Sequence, residues 1–259
     1  MSPTRSGTDA VPAGAAPAVV RATAVLDALA ASETGYLSLS DLARAIGVPK
    51  SSTSAICNAL EAGDLVRRDD LGYTLGRRLV ELGGSYLARM EVVREFYHLC
   101  ETSEVMAPET VRLSALAGID TLCLARYEGH PALRLTSGIG DRFPSSATAQ
   151  GKALLARLDD SEIVRLYHGI DVLPRVTSLD DLLAQVRQAR RDGYATDEQE
   201  AAEHVVGLAV AVPTRGVRSP VLAVSVTLLD AEVTPEVRAR FVRELKLMAR
   251  ALGNPMAPA

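Results

Sequence analysis

The sequence predicts an α+β protein in two parts, an N-terminal winged helix-turn-helix joined by connecting helices to a larger α/β domain. Two observations predict it. Short amphipathic segments joined by a tight glycine turn fill the first 80 residues and end in a small basic hairpin. The remainder mixes alternating, strand-like runs with helical ones. The chain has 259 residues, enough for two modest domains with real cores.

Residues 1–17 are rich in Ala, Pro and Gly and read as a disordered tail, with order beginning near Val19. Val19, Ala22, Val25, Leu26 and Leu29 recur at helical spacing. Ser40 is placed to cap a second helix with Leu42, Ala43 and Ile46 on its apolar face, and Gly47 to end it. Pro49 begins a third helix, where its missing N–H costs nothing, with Thr53, Ile56 and Leu60 turned inward. Leu65 to Arg68, the turn at residues 69–72, and Tyr73 to Leu75 form the hairpin. This first domain is drawn over residues 18–78.

Residues 79–105 read as two connecting helices, interrupted at Gly83-Gly84. The second domain covers residues 106–254. Val111–Leu116 and Thr121–Tyr127 alternate around a turn at Gly118 and form a hairpin, and Leu133–Leu135 is a third strand. Helices are expected over 148–158, 160–167 and 179–191. Strands follow at 208–212 and 221–229, then a final helix opened by Thr234-Pro235-Glu236.

Several functions are excluded. Gly151-Lys152 fails as a phosphate loop, because position 146 is serine and position 153 alanine. Gly138 and Gly140 are followed by Phe143 where a dinucleotide fold needs glycine. No serine sits in a G-x-S-x-G elbow, and the four histidines form no metal motif. Asp197-Glu198-Gln199-Glu200 reads as a solvated acidic loop. Three widely spaced cysteines suit neither a disulfide framework nor a zinc site, and fit a reducing cytoplasm. No apolar run approaches the roughly 20 residues of a membrane span, and the start lacks the apolar stretch of a signal peptide. No catalytic constellation, cofactor motif or metal site is expected.

The third helix instead carries Lys50, Ser51, Ser52, Ser54 and Asn58 away from its apolar face. These types bond phosphates and base edges in the major groove of double-stranded DNA. Arg67 and Arg68 stand on the wing, with Arg44 and Arg21 as further phosphate contacts. The net charge is −4, and residues 1–88 hold eight Lys or Arg against nine Asp or Glu. One copy is therefore a weak binder, and a dimer is needed to gather enough contacts.

The residues Leu39-Ser40-Asp41-Leu42-Ala43-Arg44-Ala45-Ile46-Gly47-Val48-Pro49-Lys50-Ser51-Ser52 resemble the IclR family of bacterial transcription regulators. So do Tyr73-Thr74-Leu75-Gly76-Arg77-Arg78-Leu79, Arg142-Phe143-Pro144, Ala147-Thr148-Ala149-Gln150-Gly151-Lys152 and Gly193-Tyr194-Ala195-Thr196-Asp197-Glu198. The resemblance runs from about Val19 to Gly253. It implies a GAF-like effector-binding domain and a homodimer or dimer of dimers on a palindromic operator, acting as a ligand-responsive repressor. It also implies a small organic effector, often a carboxylate, at the helix start near Ala147–Gly151. There the N–H groups of Ala149 and Gln150 would meet a ligand oxygen. Phe143 and Ser145 would line the mouth, and Asp197, Ala209, Ser225 and Thr227 would complete the pocket. Alanine at 209, where a cysteine is common in the family, implies a less polar pocket. Two other readings stay open: an enzyme acting on a small carboxylic acid, and a ligand-binding module that works through a protein partner.

Overall fold

The computed structural model describes residues 15–130, 138–170, 173–214 and 220–253. It divides into two compact units, one ending at Arg89 and the other beginning at Met90.

In the first unit, α1 (Pro17–Ala30), α2 (Leu39–Ile46) and α3 (Lys50–Ala62) precede an antiparallel hairpin of β1 (Val66–Asp69) and β2 (Gly72–Leu75). Pro17, assigned above to the tail, opens α1, since proline suits the first turn of a helix. The cap of α2 is Ser38 rather than Ser40. The Ser38 hydroxyl accepts from the Asp41 N–H at 3.2 Å, which leaves Ser40 inside the helix. Gly47 ends α2 at φ 65°, the left-handed turn that glycine allows. Pro49 is the cap of α3 and Lys50 its first residue.

The inner face of α3 is Thr53, Cys57 and Leu60, spaced i, i+4, i+7, and Ile56 is only half-buried. Val25 and Leu29 of α1, Leu42 of α2, Cys57 and Leu60 of α3, and Val66 and Tyr73 of the wing share one core. Ser38→Ala should cost about 1 kcal/mol of stability, the usual worth of such a cap, measured by denaturant unfolding. A variant as stable as the parent would show that the cap contributes nothing.

A continuous helix, α4 (Arg78–Ala88), follows the wing and buries no residue. Gly83 and Gly84 lie inside it, against the expected interruption there; both are exposed, with open space where a Cβ would stand. The break falls at Met90, whose backbone is extended.

The second unit opens with α5 (Glu91–Thr102). A six-stranded antiparallel sheet follows in the order β5-β4-β3-β8-β7-β6. Its strands are β3 (Thr110–Ala117), β4 (Asp120–Glu128), β5 (Arg142–Pro144), β6 (Ala195–Glu198), β7 (Val205–Ala211) and β8 (Leu222–Leu229). Leu133–Leu135, expected as a strand, lies outside the described residues. Between β5 and β6 come α6 (Ala149–Leu155), α7 (Asp160–Leu166) and α8 (Leu179–Asp192). A 3₁₀ turn at Asp230–Glu232 and α9 (Pro235–Gly253) complete the fold.

Helix α6 packs on β6, β7, β8 and β3, while α5 and α9 also pack on the sheet. Ala149, Ala153 and Leu154 of α6 meet Ala195, Ala209 and Ala223 of three strands. Strand alternation turns Leu208, Val224 and Val226, all fully buried, to the opposite face. The sheet is thus covered on both sides, and polar residues in its strands are not automatically solvent-facing. No helix among the described residues is long and apolar enough to cross a membrane.

Candidate DNA interface and effector site

Two candidate sites emerge, one in each unit. On the first unit, Lys50, Ser51, Ser52 and Asn58 are exposed on the side of α3 opposite its buried face, and Ser54 is half-exposed. Arg21, Arg44, Arg67 and Arg68 are also exposed. Local partners hold two of these arginines. Arg44 Nη1 pairs with Asp41 at 2.9 Å, and Arg67 Nη2 with Asp69 at 3.2 Å. Arg68 stacks its guanidinium 5.5 Å from the centre of the Tyr73 ring. Such exposed pairs are weak and exchange readily for a phosphate.

On the second unit, strand register gathers residues far apart in sequence. Directly paired residues share a sheet face. One row runs Ala195, Ala209, Ser225, Arg112, Arg126 across five strands. The next runs Asp197, Gly207, Thr227, Thr110, Glu128. Ala149 of α6 packs against this face beside Ala209. A Cβ on Gly207 would lie 3.1 Å from both the Ala149 and Asp197 Cβ atoms. The structure thus brings Ala149, Asp197, Ala209, Ser225 and Thr227 together.

Two expectations need correction, for Ser145 and for the acidic run 197–200, and two more residues take their places in the fold, Phe143 and Gln150. Ser145 is fully buried and does not line a mouth; its N–H donates to the Ile119 carbonyl at 2.9 Å, which pins it beneath α6. Phe143 is half-buried on the edge strand β5. The acidic run 197–200 is not a solvated loop. Asp197 and Glu198 belong to β6, and Asp197 is buried. Gln150 is buried within α6, whose cap is Thr148: its hydroxyl accepts from the Gly151 N–H at 3.2 Å and donates to the Pro144 carbonyl at 3.1 Å.

Asp197 is electrostatically unusual. Burial pushes its pKa up to about 6, against the lowering effect of backbone N–H donors at Ala201 (3.1 Å) and Glu200 (2.6 Å). Glu200 raises it further and Lys152 lowers it. Lys152 itself is buried and holds Glu200 in an ion pair, donating also to the Thr196 carbonyl at 3.1 Å.

Sequence reasoning missed Thr110, Arg112 and Ser114 of β3. All three are buried on the α6-facing side of the sheet. The hydroxyls of Thr110, Ser114, Ser145 and Ser225 are buried with no hydrogen-bond partner among the described residues. Each such group costs about 1–3 kcal/mol when left unsatisfied. The signal was present in the alternation of Val111-Arg112-Leu113-Ser114, where the polar positions had no assigned destination.

A winged helix with an exposed face on its third helix, followed by a separate α/β domain, is the build of a DNA-binding transcription regulator. Residues 18–70 match the IclR helix-turn-helix domain and residues 84–254 the bacterial transcriptional regulator IclR C-terminal domain, and the chain belongs to the IclR family. It is 29% identical over 248 residues to the HTH-type transcriptional regulator XynR of Escherichia coli strain K12, covering 92% of this chain and 97% of that one. The HTH-type transcriptional repressor AllR of Salmonella typhimurium is 30% identical over 199 residues, covering 74% and 72%. Among solved structures, an IclR homolog from Microbacterium hydrocarbonoxydans complexed with 4-hydroxybenzoate superposes with a TM-score of 0.73 at 22% identity, covering 91% of this chain and 97% of that one. An IclR regulator from Alicyclobacillus acidocaldarius gives 0.78 at 22%, covering 92% and 98%.

Proposed function

We propose that the chain is a dimeric repressor that places two α3 helices in successive major grooves of a palindromic operator. A small organic effector on the α6-facing side of the sheet changes its affinity for that operator. DNA binding is assigned to residues 18–78, the connection to 79–105 and effector binding to 106–254. The observation that carries the reading is α3 itself: Thr53, Cys57 and Leu60 are buried, while Lys50, Ser51, Ser52 and Asn58 are left on the surface. Repression follows the relatives named repressors, and the effector follows the neighbour complexed with 4-hydroxybenzoate. On this reading the protein acts by binding rather than by catalysis, which is supported by relatives named as a transcriptional regulator and a transcriptional repressor.

Dimerisation is favoured by α4. It buries none of its residues and exposes Leu82 (48%) and Tyr86 (54%) one turn apart on the same side, an apolar ridge suited to a second copy. Near-balanced charge in the DNA-binding domain requires the same, since two copies double the phosphate contacts. The effector binds one arrangement of the protein better than the other and shifts operator affinity by that difference. Three buried free cysteines suit a reducing cytoplasm.

The test is a mobility shift with the DNA upstream of the protein's own gene. Lys50→Ala and Arg67→Ala should each weaken binding about tenfold. Each should also reduce the salt dependence by about one unit per lost contact, hence about two in a dimer. Unchanged affinity in both variants would place the interface elsewhere. A parent that shifts no DNA at low salt would favour the module that works through a protein partner.

A further inference from the structure

Helix α3 presents an outer ridge without charge. Thr53, Cys57 and Leu60 are its buried residues. At about 100° per residue, the direction opposite them falls to Ser51, Ala55, Asn58 and Ala62, spaced i, i+4, i+7, i+11. All four are exposed, and Ala59 is exposed beside them. The ridge thus offers a hydroxyl, an amide and bare methyl groups. Lys50, Arg44, Arg67 and Arg68 lie off it, where positive charge serves the phosphates. In the major groove, arginine and lysine read guanine through O6 and N7, and neither residue type stands on the ridge. Asparagine bonds adenine through N6 and N7, and an alanine methyl packs on the C5 methyl of thymine. The Asn58 side chain is short and meets a base edge only if the helix lies deep in the groove. Ser51 and Ala55, shorter still, let it lie there. Ala55 and Asn58 are three residues apart, about 4.5 Å along the helix, against about 3.4 Å between successive base pairs. The two therefore face the same pair or neighbouring pairs.

We propose that α3 reads A·T base pairs. The Asn58 amide bonds N6 and N7 of an adenine, and the Ala55 methyl packs on the C5 methyl of a thymine in the same or the adjacent pair. Asn58 and Ala55 set the sequence of the half-site, while Lys50 and the arginines supply affinity that is indifferent to sequence. A guanine in place of the adenine presents two acceptors and leaves the Asn58 amide oxygen without a donor. This rests on the reading that α3 enters the major groove, and adds which bases it accepts there.

The experiment is selection of duplexes from a random DNA library by the full chain, followed by mobility shifts on the enriched site. Asn58→Ala should bind that site about thirty-fold more weakly per half-site and lose the preference at one A·T pair while keeping it elsewhere. Asn58→Arg, put through a fresh selection, should change that pair to G·C, since the guanidinium matches O6 and N7. Deoxyuridine in place of thymine removes only the C5 methyl. At one position of the half-site it should weaken the parent about fourfold and leave Ala55→Gly unaffected. A G·C pair at the position that answers to Asn58, an unchanged preference in Asn58→Arg, or equal binding of thymine and deoxyuridine sites by the parent would overturn the proposal. A parent that enriches no sequence defeats the DNA-binding reading itself, whereas an enriched site indifferent to position 58 defeats only this assignment.

Discussion

Gly151→Ala should destabilise the second unit by about 3 kcal/mol, at the upper end of overpacking, and lower its unfolding temperature by roughly 6–12 °C. A Cβ at this position would stand 2.2 Å from Ser145 Cα, 2.3 Å from its carbonyl oxygen and 2.6 Å from its carbonyl carbon. All three are backbone atoms. The segment cannot retreat, because the Ser145 N–H is held by Ile119 and the Pro144 carbonyl by the Thr148 hydroxyl. Glycine is therefore needed here for close approach, not for a turn. Relief would require α6 to lift from the sheet, and the effector response should fall with it. Calorimetry of the full chain reads the first effect and the mobility shift the second. An unfolding temperature equal to the parent's would mean that α6 does not pack on this loop as described.

Asp197→Asn should stabilise the protein at neutral pH and have little effect in acid. Burial raises the Asp197 pKa from its ordinary 3.8 to about 6, so the folded state favours the protonated carboxyl. Its stabilising contribution is complete below pH 3.8 and is lost as the pH rises through 6. The difference, at 1.36 kcal/mol per unit, reaches about 3 kcal/mol above pH 6. Asparagine keeps an oxygen to accept from the Glu200 and Ala201 N–H groups but cannot ionise. The gap in stability between variant and parent should therefore open between pH 4 and pH 6 and stay constant above it. A gap that does not change over this window would mean that Asp197 titrates as an exposed carboxylate does.

The helices of the first unit were legible because each has a complete local signal. The apolar residues of α1 to α3 recur at helical spacing, and Gly47 supplies the left-handed stop. Boundaries slipped by one or two residues where two capping groups compete, as with Ser38 and Ser40. The second unit was less transparent. Strands β5 and β6 are short edge strands containing Arg142, Asp197 and Glu198, a composition that by itself reads as loop. Pairing with β4 and β7 is what makes them strands, and pairing is not local. Asp197, Ala209, Ser225 and Thr227 were named through the family resemblance, and strand register sets them on one face of the sheet. Arg112 and Ser114 were missed because alternation in β3 suggests one wet face and one dry one. The helices on both sides of the sheet leave no wet face, so the polar residues of β3 were buried where solvent had been assumed.

The short side chains at Gly207, Ala209, Ala223 and Ser225 also bear on how this sensor can diversify. The close seating of α6 comes from missing methyl groups on an unbroken hydrogen-bonded ladder, with no gap in the backbone. With the effector on this face as proposed, exchanges such as Ala209→Val or Ser225→Ala alter the shape offered to it in steps of one or two atoms while leaving every strand in register. On that proposal, descendants of this chain can change ligand through single substitutions on the sheet, without redesign of the scaffold.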